Sequence, residues 1–309
     1  MQTIKTIGRK IGFGTKKFNT RGFIFLSVVP GFTVYIIFIL LPNLLTAALS
    51  LYRWRGLSWE FRWMGLANYQ RMFADPTFYT ALRNNLYFMV LSMILVIGIS
   101  LFIAAILSNR SIKRVGFYRA IFYFPNVMSV VVVSLMWRFM YDPNYGIINE
   151  VLRGIGLDSW TRVWLGDLST VRPSLVVPQV WGGVGLYILI YMTTMRSINF
   201  TLYEAASIDG ASKIRQFFSI TLPLMVPTIR TTLIFFLAGA LSGGFALVRI
   251  MTQGGPNRAS TVLSSYLYEK AFTDGDYGYA AAIGMFILVV GFLLYFTVMK
   301  VFKTETYET

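Results

Sequence analysis

The residues of this 309-residue chain that could do chemistry inside its apolar stretches are few and uncharged. The chain contains no histidine and no cysteine. That removes the side chain best suited to proton transfer near neutral pH, thiol nucleophiles and disulfides, and the commonest zinc ligands. What remains at depth is Asn126, Gln179, Trp181 with Gly182-Gly183, and Ser242-Gly243-Gly244. A side-chain amide carries both donors and acceptors, so Asn126 and Gln179 suit the hydroxyl groups of a neutral polyhydroxyl ligand. A ring such as Trp181 can stack on a sugar face. A phosphorylated or acidic ligand would call for arginine at depth. Helix packing is the competing account, because small residues let helices approach and amides bond between them. For the glycines both accounts stand; for Asn126 and Gln179 the polar cavity is favoured.

A second concentration of chemistry is Glu204-Ala205-Ala206-Ser207-Ile208-Asp209-Gly210-Ala211, followed by Phe217 and Leu222-Pro223. Tyr203 to Asp209 can form two helical turns, Gly210 permits a sharp turn, and Asp209 can cap a following helix. In that helix Ala211, Ile214, Phe218 and Leu222 share one side, while Lys213, Arg215 and Gln216 face elsewhere. Pro223 and Pro227 stiffen the entry to the next apolar run. Such a pair could lie on a membrane surface or serve as a handle for a partner.

The elements that must position these residues are membrane spans. The chain is 56% hydrophobic and 13% charged, about half the charge share of a soluble domain. Six apolar runs, at 23–52, 85–107, 120–137, 174–195, 231–248 and 277–299, are each near the length of a crossing. Helices are expected, since a backbone in lipid must satisfy itself. The fold class is therefore all-α integral membrane, with residues 1–22 as a basic tail, 23–303 as the six-span domain and 304–309 as the C-terminal tail. A signal peptide is the competing reading of the N-terminus, but the first apolar run is too long for it.

Six spans place both termini on one face. That face carries 16 basic and 4 acidic residues, against 12 and 9 on the other. The termini and the loop 196–230 are accordingly expected to be cytoplasmic. The net charge of +15 reads as this bias and as contact with membrane lipid, not as nucleic-acid binding. The opposite loops, 53–84, 138–173 and 249–276, are rich in Trp, Tyr and Arg, including Trp54, Trp59, Trp63, Tyr69, Trp160 and Trp164. An aromatic belt and a docking surface for an external protein both fit them. By these boundaries no span interior holds a charged residue. That argues against proton coupling, and less strongly against sodium coupling. It leaves no reactive group for an intramembrane enzyme, so energy for uphill transport would enter from outside the spans.

The residues of the polar loop resemble the EAA signature of permease subunits of binding-protein-dependent ABC importers. Glu204-Ala205-Ala206, Asp209-Gly210-Ala211, Phe217, Ile220, Leu222-Pro223 and Pro227 carry the resemblance. Thr252-Gln253-Gly254-Gly255-Pro256 with Ser265-Tyr266-Leu267-Tyr268 and Ala271-Phe272, and Gly65-Leu66-Ala67-Asn68-Tyr69, are similar to segments of maltose- and glycerol-3-phosphate-type carbohydrate permeases. Together the likeness spans about residues 23–303. It implies a type I importer permease fold in the cytoplasmic membrane of a bacterium or archaeon, with no catalytic residue and no cofactor or metal of its own. It implies a second homologous permease, two ATPase subunits that carry ATP and Mg, and an external solute-binding protein. It further implies that 203–221 docks into an ATPase cleft, with Glu204 as anchor and Gly210 as hinge among Ala205, Ala206, Asp209, Ala211 and Phe217. Sugar would meet Asn126, Gln179, Gly183 and Gly244, beside Trp181 and Ser242. Leu241-Ser242-Gly243-Gly244 departs from the amide-rich patch of maltose permeases, so maltose itself is not indicated. A glycerol-3-phosphate or polyol permease, a gradient-driven carrier and a small-solute channel are the rival functions.

Overall fold

Long uninterrupted apolar runs make helices wherever a backbone must find its own partners, and the computed structural model of the chain is built of them. It describes residues 20–56, 60–109, 112–241 and 244–301. The basic tail up to residue 19 and the C-terminal tail lie outside the described residues. The chain divides into two compact units at Ala48–Leu49. The first contains most of α1, which runs as Thr20–Tyr35, a π-helical turn Ile36–Leu40, and Leu41–Leu49. Its side chains from Phe25 to Leu45 are largely exposed and apolar, as a lipid-facing helix requires.

The second unit begins with a two-residue hairpin, β1 (Tyr52–Arg53) paired antiparallel with β2 (Arg62–Trp63). Then follow α2 (Ala67–Ala74), α3 (Pro76–Ser108), α4 (Val115–Val127), α5 (Val130–Met140), α6 (Ile147–Gly154) and α7 (Val171–Ser197). The chain continues through α8 (Phe200–Ile208), α9 (Lys213–Ala240, with a π-helical turn at Phe217–Thr221), α10 (Phe245–Met251), α11 (Leu263–Tyr268) and α12 (Tyr277–Val301). Among the described residues five helices, α1, α3, α7, α9 and α12, are long and apolar enough to cross a membrane. The count is six when α4 and α5 are taken as one broken span.

Two expected spans are therefore interrupted. The run 120–137 is two helices meeting at 95°. Met128 is extended, and Ser129 caps α5 by accepting from the Val131 N–H. The run 231–248 stops at Ala240 and restarts at Phe245, with Gly244 at φ +83°. At the other end of α9 the helix starts at Lys213, well inside the expected loop 196–230. The helices also outrun the uncharged stretches, so α3 carries Arg83 and α9 carries Arg230 within their length.

The α3–α7 pair is the centre of this unit. Val96, Leu175, Ile188, Tyr191 and Met192 are essentially inaccessible. In lipid, association draws on close packing and interhelical hydrogen bonds more than on the hydrophobic effect, and both occur here. The Ser100 hydroxyl donates to the Val184 carbonyl at 3.0 Å, and the Tyr191 and Thr232 hydroxyls meet at 2.7 Å, joining α7 to α9. The packing glycine of α7 is Gly185, not the Gly182-Gly183 pair that stands out in the sequence. A Cβ at Gly185 would collide with the Phe122 carbonyl oxygen of α4.

The loops group as alternate crossings demand. At one end Asn84 meets the Arg258 and Thr261 carbonyls, Arg172 meets the Ala259 carbonyl and Arg138 that of Ile250. At the opposite end Arg196 donates to the Leu107 carbonyl and Arg230 reaches the Met299 sulfur.

The first end is knotted around Asp75. Its carboxylate caps α3 through the Thr77 N–H at 2.8 Å and accepts from the Tyr279 hydroxyl at 2.8 Å and from the Tyr266 hydroxyl. Burial raises the Asp75 pKa, but these three donors and nearby Lys270 outweigh it and hold the carboxyl below its ordinary value. The Asn68 amide, from the Gly65–Tyr69 segment, donates to the Ser50 and Tyr52 carbonyls at 2.8 and 3.0 Å.

Gly185→Val should drive α4 off α7 and destabilise the detergent-solubilised protein by about 1–3 kcal/mol. Gly183→Ala, whose nearest neighbour is Val96 at 3.4 Å, should leave thermal unfolding nearly unchanged. Because the folded carboxyl of Asp75 is depressed, its contribution is complete above the ordinary carboxylate pKa of about 4 and is lost as pH falls through the lower, folded value. The unfolding temperature of wild type therefore drops below about pH 4 more steeply than that of Asp75→Asn.

Candidate functional site

The two broken helices and α7 converge on one cavity of about 350 Å³. Its polar groups are Asn85 and Ser92 of α3, Asn126 of α4 and Gln179 of α7. Its aromatic wall comes from Phe88, Tyr187, Phe235 and Phe236, and Gly183, Gly239 and Gly244 keep backbone open to it. Among the described residues no charged side chain lines it.

The break in each helix explains why polar groups gather here. α4 ends one residue after Asn126, so the Asn126 amide reaches across and donates to the Gly182 carbonyl at 3.0 Å. Pro178 sits inside α7 one residue before Gln179. A proline leaves the carbonyl one turn before it without its helical partner. The Oε1 of Gln179 accepts from the Ser92 hydroxyl at 3.2 Å, while its Nε2 is buried and has no hydrogen-bond partner among the described residues. A buried donor left unpaired costs about 1–3 kcal/mol, which a hydroxyl-bearing ligand would recover.

Asn126, Gln179, Gly183 and Gly244 thus come together as the sequence suggested. Trp181 does not join them: its ring lies edge-on to Trp137 at 6.0 Å, in a chain of rings continuing through Tyr141 to Trp164. Ser242 lies outside the described residues, as does Trp59. Asn85 was missed, although two adjacent amides, Asn84-Asn85, at the head of an apolar run are themselves a signal.

The second site is the α8–α9 corner, at the end of the molecule marked by Arg196. Asn199 caps α8 by accepting from the Thr201 N–H. Gly210, at φ +74°, ends it, and the Ala211 N–H returns to the Ala206 carbonyl at 2.8 Å. This left-handed closure satisfies the last carbonyls of the helix. Ser212, not Asp209, caps α9, by accepting from the Arg215 N–H at 3.3 Å; Asp209 instead ends α8 as its C-terminal cap.

The faces are also not those expected. Gln216 points inward and is buried, its Nε2 donating to the Ser207 hydroxyl at 2.8 Å and the Ala211 carbonyl at 3.0 Å. Its polarity hid this role, for a buried amide can close a corner when both neighbours offer oxygen. Ile214 and Phe218 point outward, 71% and 61% exposed, and Ile208 is 87% exposed. Glu204, Ala205, Asp209 and Gly210 are exposed, and Ala206, Ala211 and Phe217 are half-buried. The Tyr203 and Thr221 hydroxyls meet at 2.8 Å and tie the corner to the π-helical turn of α9. The result is a hydrogen-bonded corner that exposes apolar Ile208, Ile214 and Phe218 beside both acidic (Glu204, Asp209) and basic (Lys213, Arg215) side chains.

Residues 96–304 match the family described as binding-protein-dependent transport system inner membrane component. The chain belongs to this family. It is 39% identical to the probable ABC transporter permease protein YurN of Bacillus subtilis, over 92% of this chain and 97% of the relative. It is 33% identical to the diacetylchitobiose uptake system permease protein NgcF of Streptomyces coelicolor, over 83% and 75%. Its fold is similar to a chain of a bacterial alginate ABC transporter solved with an alginate pentasaccharide-bound periplasmic protein. The TM-score is 0.80 at 25% identity, covering 94% of this chain and 99% of that one. The broken α4–α5 span and the α8–α9 corner therefore belong to the permease of a transport system.

Gln216→Ala removes the pin of that corner. Amide hydrogen exchange across 200–216 should rise about tenfold, the loss of one to two hydrogen bonds, while α7 exchanges as in wild type. Unchanged protection at 200–216 would show that Gln216 does not hold the corner.

Proposed function

We propose that this chain is the membrane subunit of an ATP-driven ABC importer for an uncharged sugar or oligosaccharide. The observation that carries the substrate class is the cavity: neutral amides and hydroxyls beside aromatic rings, one buried donor with no partner, and no charged side chain in the lining. A uronate or phosphate would enter such a site only by losing its hydration without a compensating cation. The uptake system named for the diacetylchitobiose relative supports a carbohydrate; the alginate system imports an acidic polysaccharide, and the lining here argues for a different cargo.

The chain has no catalytic residue of its own in this account. ATP and Mg reside on two ATPase subunits, a second homologous permease completes the pathway, and an external solute-binding protein delivers the sugar. The termini and the α8–α9 corner lie on the cytoplasmic face of a bacterial or archaeal cell membrane, as the Lys and Arg distribution favours. There the corner, residues 203–221, docks in the ATPase. The exposed Glu204 anchors it, Gly210 sets its turn, and Ala205, Ala206, Asp209, Ala211 and Phe217 shape its surface. Because Gln216 and Tyr203 fasten the corner to α9, a push on it moves the whole helix, whose far end borders the cavity at Gly239 and Ala240. Coupling is then rigid-body motion of packed helices, and the cavity alternates between the two sides.

Glu204→Lys and Gly210→Pro should each abolish uptake and the co-purification of ATPase subunits while the permease still inserts. Gln179→Ala should keep the assembly intact and lower uptake about tenfold, the cost of one ligand hydrogen bond. Normal ATP-driven uptake in both corner variants would defeat the docking assignment. Unchanged uptake in Gln179→Ala would remove this residue from the sugar site.

A further inference from the structure

One cavity-lining amide is consumed by backbone on both its sides. Asn85 is 1% exposed. Its Nδ2 faces the Ala240 and Leu241 carbonyls at 3.5 and 3.3 Å, where α9 ends. Its Oδ1 accepts from the Leu263 N–H at 2.7 Å, where α11 begins. These segments are more than 20 residues apart in sequence, and no other described side chain bridges them by hydrogen bonds. Both also border the cavity, through Ala240 on one side and Val262 on the other.

The neighbouring Asn84 holds the same outer segment but not the cavity. Its Nδ2 donates to the Arg258 and Thr261 carbonyls at 3.1 and 2.9 Å. The two amides hold this segment together with Arg172, which donates to the Ala259 carbonyl at 3.1 Å, and the segment also bonds within itself. The Thr252 and Ser260 hydroxyls meet at 2.8 Å, the Ser260 hydroxyl donates to the Gly255 carbonyl at 2.7 Å and the Thr261 hydroxyl to Gly254 at 3.2 Å.

We propose that Asn85 is a positioning residue: the side-chain amide through which the segment 254–263 holds the end of α9 and so sets the wall of the cavity. A shift of Leu263 relative to α3 breaks or reorients the Oδ1 contact. The planar amide cannot then keep its Nδ2 on the Ala240 and Leu241 carbonyls. Release of those carbonyls frees the helix break, the part of the wall made of Gly239, Ala240 and Gly244. The consequence for transport rests on the importer reading. A protein docking on the Asp75 end would report its presence to the sugar site through this amide.

The test uses the assembled importer and two variants. In Asn85→Ala, amide exchange should quicken about tenfold in two segments at once, 238–248 and 260–266. In Asn84→Ala it should quicken only in 254–262. In proteoliposomes Asn85→Ala should lose about tenfold of the stimulation of ATP hydrolysis by loaded binding protein, and Asn85→Ser, which keeps one hydroxyl, should recover part of it. Asn85→Ser also serves if the alanine variant does not insert. Faster exchange at 260–266 alone, or stimulation by loaded binding protein unchanged in Asn85→Ala, would overturn the proposal. The exchange readout needs no transport, so the clamp can fail while the importer reading holds. A wild-type complex with no binding-protein-stimulated hydrolysis would overturn that reading instead.

Discussion

A helix cannot break inside a membrane without finding partners for the carbonyl and N–H groups it releases. This chain breaks two helices, at Met128–Ser129 and after Ala240, and the rest of the second unit is arranged around satisfying them. Neutral side chains do it: the Ser129 hydroxyl accepts from the Val131 N–H at the first break and Asn85 donates to the last carbonyls of α9 at the second, while the Asn126 amide ties the end of α4 to the Gly182 carbonyl of α7. Because the amides are neutral, they carry no desolvation cost comparable with that of a charge. Because they gather where backbone is exposed, they also make a polar cavity. The side chains that meet the requirement of lipid are the ones proposed to meet a sugar.

The two ends of the molecule are stiff for different reasons. At one end the Asp75 carboxylate collects two phenols and a helix N–H, with Arg71, Arg258 and Lys270 close to the phenol rings. At the other, Gln216 and Tyr203 close a corner that exposes apolar Ile208, Ile214 and Phe218. Between them the α3–α7 pair is tightly packed and hydrogen-bonded. A structure stiff at both ends with its helix breaks in the middle can transmit motion, since displacement concentrates where helical hydrogen bonds are missing.

The all-helical architecture, the alternation of loops between two ends and the place of Asn126 and Gln179 beside a polar cavity were legible in the sequence, while Gly183 and Gly244 came from the family resemblance. Apolar run length and amide position carry that information directly. The breaks were not. Met128-Ser129 lies in a run that remains apolar on both sides, and a 95° bend leaves no mark on hydropathy. Gln216 and Trp181 were misplaced for a shared reason: side-chain character gives chemistry but not direction, and direction here is set by the Gly210 turn and by the Trp137 ring. Asn85 escaped because its partners, Leu241 and Leu263, are distant in sequence and contribute only backbone.

The central claim is that ATP hydrolysis by docked partners drives an uncharged sugar through the amide-lined cavity. Its most direct measurement is uptake into proteoliposomes holding the full complex, with ATP inside and loaded binding protein outside, across paired neutral and uronic oligosaccharides. The account predicts ATP-dependent accumulation of neutral sugars, unaffected by collapsing ion gradients. Accumulation driven by a proton or sodium gradient without ATP, or preference for the uronic member of each pair, would contradict it.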